Sequence, residues 1–242
     1  MTLTVGSLFS GIGGLDLGLE RAGMQVIWQS EIEPFACKVL KKHWPEVPNH
    51  GDIKQIEWGT VERPDVICGG YPCQPFSQAG KRRGTDDPRH LWPWVRTAIS
   101  ELRPRYAILE NVRGHITMGG LQVIGELAEL GYDAEWEIVS AASQGAPHVR
   151  ERLFILAYPK RQRNGEHGQP TDVTNVSKFW RTDARGEKRN ERGQWWADKP
   201  DVGRVVYGVP NRVDKLRGLG NAVVPQVAEY IGHLVMAADN NS

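Results

Sequence analysis

Along most of the first 158 residues, apolar positions follow two patterns, short continuous runs and helical spacing. Short apolar runs at 2–8, 25–30 and 65–68 predict buried strands, and the stretches after them carry apolar residues at helical spacing. The same pattern predicts further strands at 106–109, 132–139 and 153–157, and helices that end near residue 22, at 34–43, by residue 102 and at 121–130. Strands that alternate with helices predict an α/β fold with a Rossmann-like, mostly parallel sheet.

The periodic pattern fades between residues 159 and 203, where Gly, Asn, Arg, Lys and Trp dominate. Residues 160–204 hold eleven Lys and Arg against seven Asp and Glu, with three tryptophans interleaved. Basic residues beside aromatic ones are typical of nucleic-acid surfaces, although a disordered insert has a similar composition. Helical periodicity returns near residue 212. We therefore divide the chain into 1–158, a variable segment at 159–203, and a closing segment at 204–242.

Composition limits the class of protein further. The 242 residues, 40% of them hydrophobic, suit one sizeable domain, and a net charge of +1 leaves any polyanion to local basic patches. Three cysteines without regular spacing argue against a disulfide framework, and no Cys or His set completes a metal site. No signal peptide and no apolar run of membrane-spanning length is present, which predicts an intracellular, reducing compartment.

A glycine-rich turn follows the first strand. Phe9, Ser10, Gly11, Gly13, Gly14 and Leu15 lie in this turn and open the next helix. Strand, glycine turn and helix together predict close approach of the backbone to a nucleotide-type ligand, and Glu31, about 20 residues further on, suits ribose hydroxyls. A plain tight turn and a dinucleotide site remain alternatives, and Glu31 alone could be a solvated helix start.

A cysteine between two prolines follows the strand at 65–68, which we expect Gly69 and Gly70 to end. Pro72 and Pro75 restrict the backbone around Cys73, and Lys81, Arg82 and Arg83 follow in a glycine-rich loop. A thiol in a turn with cationic surroundings favours a reactive thiolate, whereas the usual alternative for a single cysteine is a buried structural role.

Charged residues also stand where later strands begin or end. Glu110 closes the apolar run at 106–109, where a carboxyl group with a raised pKa is expected. Arg150 and Arg152 alternate at the start of another strand, so we expect both on one face, suited to a carboxylate, a pyrimidine carbonyl or a phosphate. A helix-capping acid and a surface charge ladder are the structural alternatives.

Six ordered motifs, from about residue 4 to 236, make the chain resemble the cytosine-C5 DNA methyltransferases of the compact bacterial or phage type. They are the glycine turn, Glu31 with Asp52-Ile53, Pro72-Cys73-Gln74, Glu110-Asn111-Val112, Arg150-x-Arg152 and the closing Gly220-Asn221-Ala222-Val223-Val224-Pro225. His148 departs from the pattern, because the family carries glutamine there. The segment at 159–203 matches the place of the family's target-recognition region and is short.

The resemblance implies the S-adenosylmethionine-dependent methyltransferase fold and a set of roles. Cys73 would attack carbon 6 of cytosine, Glu110 would meet the N3 edge, Arg152 would orient the flipped base, and Arg150 would steady the loop or a phosphate. For S-adenosyl-L-methionine, Glu31 would hold the ribose, Ile32 would lie against the adenine and Asp52 would contact its amino group. The cofactor residues implied as a set are Phe9, Ser10, Gly11, Gly13, Gly14, Leu15, Glu31, Ile32, Asp52, Ile53, Pro72, Asn221 and Val223, with no metal.

The same resemblance implies double-stranded DNA as partner, no membrane, a monomer in the cytoplasm of a bacterial or phage-infected cell, and room for a restriction endonuclease counterpart. Lys81, Arg82 and Arg83 would belong to a lid that closes on DNA. Three alternatives stay open: the same chemistry on tRNA, a catalytically silent DNA-binding relative, and a nicotinamide oxidoreductase.

Overall fold

A six-stranded sheet forms the centre of the protein. The computed structural model of the chain describes residues 2–72, 91–160 and 218–240. The strands are β1 (Thr4–Leu8), β2 (Gln25–Ser30), β3 (Val66–Gly70), β4 (Tyr106–Val112), β5 (Tyr132–Ser140) and β6 (Glu151–Pro159). They lie in the order β2-β1-β3-β4-β6-β5; β1 to β4 run parallel, and β6 is antiparallel to both β4 and β5. The predicted mostly parallel α/β sheet is confirmed.

Helices cover both faces of this sheet. They are α1 (Gly14–Arg21), α2 (Pro34–His43), α3 (Trp92–Leu102), α4 (Gly120–Glu129) and α5 (Pro225–Asn240). Short 3₁₀ helices occupy Ile53–Gln55, Trp58–Thr60, Arg113–Thr117 and Ala141–Gln144. α2 begins with Pro34, whose ring fixes φ at a helical value and whose missing N–H would have had no partner within the helix.

Two apolar cores follow from the alternation of side chains along the strands. Val66 and Cys68 of β3 belong to the core that α1 and α5 cover, whereas Ile67 belongs to the core that α3 and α4 cover. Cys68 is fully buried, and burial raises its pKa, so this thiol is a structural side chain. Within the described ranges, no helix is both long enough and apolar enough to cross a bilayer.

The two glycines after the third apolar run lie inside β3, so the prediction that they end the strand was wrong. Gly69 pairs with Leu8 and Leu109, and Gly70 pairs with Glu110. A Cβ atom on Gly69 would lie 2.8 Å from the Leu8 carbonyl oxygen, and one on Gly70 would lie 2.6 Å from Glu110 Oε2. Pairing with β4 keeps both glycines in the strand, and Gly69 pairs with β1 as well. The missing side chain of Gly70 leaves room for the Glu110 carboxyl group.

Candidate active site

A cavity of about 690 Å³ opens where β1 to β4 end. Parallel strands bring their carboxyl ends to one edge of a sheet, so residues that follow four different strands meet there. Its wall includes twelve predicted cofactor residues and two predicted catalytic residues: Phe9, Ser10, Gly11, Gly14, Leu15, Glu31, Ile32, Asp52, Ile53, Pro72, Asn221, Val223, Glu110 and Arg152. The thirteenth predicted cofactor residue, Gly13, faces the ring of Trp44, which fills the space that a side chain would need.

The glycine turn after β1 has the left-handed backbone that its sequence suggests. φ is 52° at Phe9, 56° at Gly11 and 81° at Gly13, a region that side-chain-bearing residues seldom adopt. Gly14 packs directly against the backbone of Val223, so the turn is closed from behind by the segment that precedes α5.

Glu31 ties the ends of β1 and β2 together. Its Oε2 accepts a hydrogen bond from the Gly11 amide at 2.8 Å, and its Oε1 accepts from the amides of Ile32 at 2.8 Å and Glu33 at 2.7 Å. Three backbone donors on one carboxylate fix its orientation at the cavity wall. Glu31 is therefore held in place by the same turn that lines the cavity.

The groups on this side of the cavity fit an adenosyl group. Glu31 presents acceptor oxygens suited to a ribose diol, and the Ile32 side chain, 66% exposed, offers an apolar face suited to a purine. Asp52 caps the 3₁₀ helix that follows it, accepting from the Lys54 amide at 3.0 Å, which orients its carboxylate at the wall. Around Gly11, the nearest atom to an added Cβ would be Phe9 O at 3.9 Å, so the turn lies open to a ligand.

An ion pair lies on the opposite wall. Arg152 Nε is 2.9 Å from Glu110 Oε1, and Glu110 is only 7% exposed. Burial raises the pKa of the Glu110 carboxyl group to about 7, although the positive charges of Arg152 and Arg150 oppose the shift. The antiparallel register places Arg152 opposite Val112, two residues beyond Glu110, which brings the two side chains together across β4 and β6.

Arg150 lies outside the strand in which it was expected. β6 begins at Glu151, and Arg150 has φ 32°, so strand alternation does not set the direction of the Arg150 side chain, and a shared face with Arg152 stays a prediction. The Arg150 Nη2 atom donates to the carbonyl oxygens of Gly220 and Ala222, both at 2.6 Å. It thereby joins the start of β6 to the segment that carries Asn221 and Val223.

Several predicted features lie outside the described residues. Cys73, the cationic loop at 81–83 and nearly all of the variable segment at 159–203 belong to this group. Pro72, the residue before Cys73, lines the cavity, and Tyr71 lines it as well. Among the described residues, no cluster of three or more His, Cys, Asp or Glu side chains is arranged to hold a metal ion.

Sequence reasoning missed a buried acid beneath the glycine turn. Asp16 is fully buried in α1, where it accepts hydrogen bonds from Ser7 Oγ and Gln29 Nε2, both at 2.6 Å. Burial raises the pKa of Asp16 to about 6. The only signal in the sequence is a charged residue between Leu15 and Leu17. Missed wall residues include Phe35, Tyr71 and Ala222.

Comparison with known proteins gives a consistent family. Residues 3–194 match the family model described as C-5 cytosine-specific DNA methylase. The type II methyltransferase M.Eco47II of Escherichia coli is 40% identical over 162 residues, which cover 64% of this chain and 39% of that protein. M.MspI of Moraxella sp is 32% identical over 215 residues, 86% of this chain and 50% of the relative. The chain thus spans about half the length of such relatives, or less.

The fold is also found among solved structures. The S. pombe Dnmt2 methyltransferase superposes with a TM-score of 0.60 at 23% identity, covering 78% of this chain and 58% of the other. At this identity the likeness concerns the fold.

Proposed function

Because the chain belongs to the C-5 cytosine-specific DNA methylase family, as its motifs predicted, we propose that it is a DNA (cytosine-5-)-methyltransferase. It would transfer a methyl group from S-adenosyl-L-methionine to carbon 5 of cytosine in double-stranded DNA. The observation that carries the proposal is the pair of the buried Glu110 and the half-buried Arg152 on one wall of a cavity whose other wall suits an adenosyl group. Pro72, next to Cys73 in the chain, lines the same cavity.

The cofactor half of the cavity has a residue for each part of an adenosyl group. Glu31 would bind the ribose hydroxyls, Ile32 would cover the purine, and Asp52 would accept from its amino group. The glycine turn and the segment at 221–223 would enclose the remainder. When bound, S-adenosyl-L-methionine supplies an electrophilic methyl group for transfer.

Cys73 and Glu110 divide the chemistry of the cytosine ring between them. The Cys73 thiolate would form a bond to carbon 6 while the Glu110 carboxyl group donates its proton to N3, so that no full negative charge builds on the ring. Carbon 5 then becomes nucleophilic enough to accept the methyl group. A base, for which water is a candidate, then removes the carbon-5 proton; the electron pair released expels the Cys73 thiolate from carbon 6, and N3 returns its proton to Glu110. A Glu110 pKa of about 7 suits proton donation near neutral pH.

The two arginines have separate tasks in this scheme. Arg152 would keep its Nε–H on Glu110 and direct another N–H of the guanidinium group to the carbonyl oxygen of the base. Arg150 would hold the segment at 220–222 in position through the two carbonyl oxygens that it contacts. Because the atoms that react are enclosed inside a duplex, the cytosine would have to be flipped out of the helix into this cavity.

The surroundings of the reaction are part of the same proposal. Residues 1–158 would bind cofactor and base, the segment at 159–203 would contribute target recognition, and residues 204–242 would return to the catalytic part. The relatives named above are type II methyltransferases, so we expect a restriction endonuclease counterpart. The enzyme would act as a monomer in the cytoplasm.

Transfer of labelled methyl from S-adenosyl-L-methionine to duplex DNA and to tRNA, measured side by side, tests the proposal. Label is expected on DNA, together with a covalent complex on duplex that contains 5-fluorocytosine. Cys73→Ala should abolish both signals while leaving cofactor binding intact. Label on tRNA alone would contradict the DNA assignment, and full activity of Cys73→Ala would contradict the mechanism.

A further inference from the structure

Tyr71 marks the point at which the chain leaves β3 and enters the segment of Cys73. Its side chain is buried, with 4% of the residue exposed. The ring packs against Trp92 of α3 and against His115, with ring centroids 5.5 Å apart in both pairs. The His115 contact is edge-on, at 79°, a favoured geometry for aromatic rings.

Hydrogen bonds hold both ends of this residue. Tyr71 Oη and His115 Nε2 lie 2.9 Å apart, and Asn111 Nδ2 donates to the Tyr71 carbonyl oxygen at 3.0 Å. Asn111 follows Glu110 directly in β4, and His115 lies in the 3₁₀ helix that comes next, Arg113–Thr117. The exit from β3 is therefore fixed to the strand that carries the catalytic carboxyl group.

A buried histidine at this position is energetically unfavourable. It is 2% exposed, and its Nδ1 atom has no hydrogen-bond partner among the described residues. Burial lowers the pKa of His115 to about 4, so the ring is neutral at pH 7. A buried N–H without an acceptor is rarer than a bare lone pair, which favours the tautomer in which Nε2–H donates to Tyr71 Oη. A leucine would fill the space without an unpaired nitrogen.

From this geometry we propose that Tyr71 and His115 are a positioning pair, which holds the chain that enters the Cys73 segment at a fixed place relative to Glu110. The proposal rests on the function proposed above and deepens it. A nucleophile and an acid that act on neighbouring atoms of one ring must be placed accurately, and small misplacements slow such reactions strongly. The pair does not touch the base; it sets where Cys73 begins.

Four variants separate positioning from simple stability. Tyr71→Phe and His115→Leu remove the hydrogen bond and keep an apolar filling; each should lower kcat roughly five- to 100-fold, with KM for the cofactor changed less than about twofold. His115→Gln keeps a donor near the place of Nε2 and should retain most of the activity. Tyr132→Phe is the matched control, because it removes another buried phenol bond, to the Pro104 carbonyl oxygen, within the same core.

Unfolding temperature and kcat should respond differently to these variants. The double variant of Tyr71→Phe and His115→Leu should unfold at the same temperature as the parent protein or higher, because both partners of the hydrogen bond and an unpaired buried nitrogen are gone. Tyr132→Phe should unfold at a lower temperature with unchanged kcat. In the double variant of Tyr71→Phe and His115→Leu, the losses in kcat should not multiply, since both remove one bond. Losses that multiply, or a His115→Leu enzyme with normal kcat, would overturn the proposal.

A second measurement does not depend on methyl transfer. The rate at which iodoacetamide alkylates Cys73, followed by mass spectrometry of its peptide, should change roughly threefold or more in Tyr71→Phe, with the rate at Cys37 as internal reference. Equal Cys73 rates in parent and variant would overturn the positioning role. A parent protein that methylates nothing would refute the proposed function alone, and the alkylation rates would still decide the role of the pair.

Discussion

Glu110 shows how burial and charge compete at a single residue. Removal from water favours the neutral carboxylic acid, while Arg152 at 2.9 Å favours the carboxylate. Burial is the larger effect, because the pKa of Glu110 is raised to about 7 in spite of the two arginines. A far larger share of the molecules therefore carries a proton here at neutral pH than at an unperturbed glutamate. An ordinary surface glutamate would carry almost none.

The rate of methyl transfer should fall as pH rises through about 7. In the proposed mechanism only the protonated Glu110 donates to N3, so loss of this proton removes the acid from the reaction. Glu110→Gln should lower the rate roughly 10²–10⁴-fold and abolish this alkaline limb. The measurement is kcat/KM from pH 5.5 to 9 for both proteins. An identical alkaline limb in the variant would mean that another group supplies the proton.

Asp16 predicts a pH effect on stability. Its pKa in the folded protein, about 6, lies above the ordinary value of 3.8, so folding favours the protonated form. The stability that this proton provides is fully present below about pH 4 and is lost as pH rises through 6, a difference of about 3 kcal/mol. Asp16→Asn should lack this slope. Urea unfolding from pH 3.5 to 7 measures it, and parallel curves for the two proteins would refute the assignment.

Between elements, glycines set how closely α1 and α5 approach. A Cβ atom on Gly232 of α5 would lie 2.6 Å from Ala22 Cβ, and one on Gly18 of α1 would lie 2.8 Å from the Glu229 amide nitrogen. Real Cβ atoms essentially never lie this close to a neighbouring atom. The two helices pack with their backbones nearly in contact, and the segment before α5 is thereby pressed against the glycine turn.

Alanine at Gly232 should therefore destabilise the protein by roughly 1–3 kcal/mol, because the helices must move apart. Gly125→Ala is the matched control. Gly125 is an exposed residue of α4 with nothing within 4 Å of an added Cβ, so alanine there should stabilise by up to about 1 kcal/mol through helix propensity. Denaturant unfolding compares the two. A neutral Gly232→Ala would show that the contact yields without cost.

The spacing of apolar residues correctly predicted those elements whose sequence pattern is complete within one stretch of the chain. The bounds of β2 and α2 are those read from apolar spacing and Pro34. The same pattern placed the end of β3 too early, since pairing of Gly69 with β1 and β4 and of Gly70 with β4 overrides the weak strand propensity of glycine. The reversal of β6 was also absent from the prediction, because strand direction depends on which strands become neighbours.

At the scale of the whole molecule, contacts between distant residues decide what sequence could not. The glycine turn, Glu31 and Glu110 could be singled out because each stands at the end of an apolar run. The bond between Tyr71 and His115 joins residues 44 apart, and Arg150 reaches the Ala222 carbonyl oxygen across 72 residues. No spacing rule connects such pairs, so only the folded chain reveals them.

Substitution of Arg150 tests how its contacts with the segment at 220–222 affect cofactor binding. Arg150→Met removes both hydrogen bonds to the segment at 220–222, which lines the cavity through Asn221 and Val223. The Kd for S-adenosyl-L-methionine should rise roughly tenfold, with a smaller change in the rate at saturating cofactor. Isothermal titration and single-turnover rates separate the two. An unchanged Kd with a collapsed rate would place Arg150 on the base or the DNA instead.

The cavity is built from both halves of the chain, and this has a consequence for biosynthesis. A ribosome delivers the glycine turn at residues 9–15 about 200 residues before the residues at 221–223 that close the same cavity. A growing chain therefore has β1 to β4 available well before it has a complete pocket. Affinity for the methyl donor should arise in one late step, after α5 has emerged and docked on α1. A nascent chain that lacks α5 should therefore bind the methyl donor weakly.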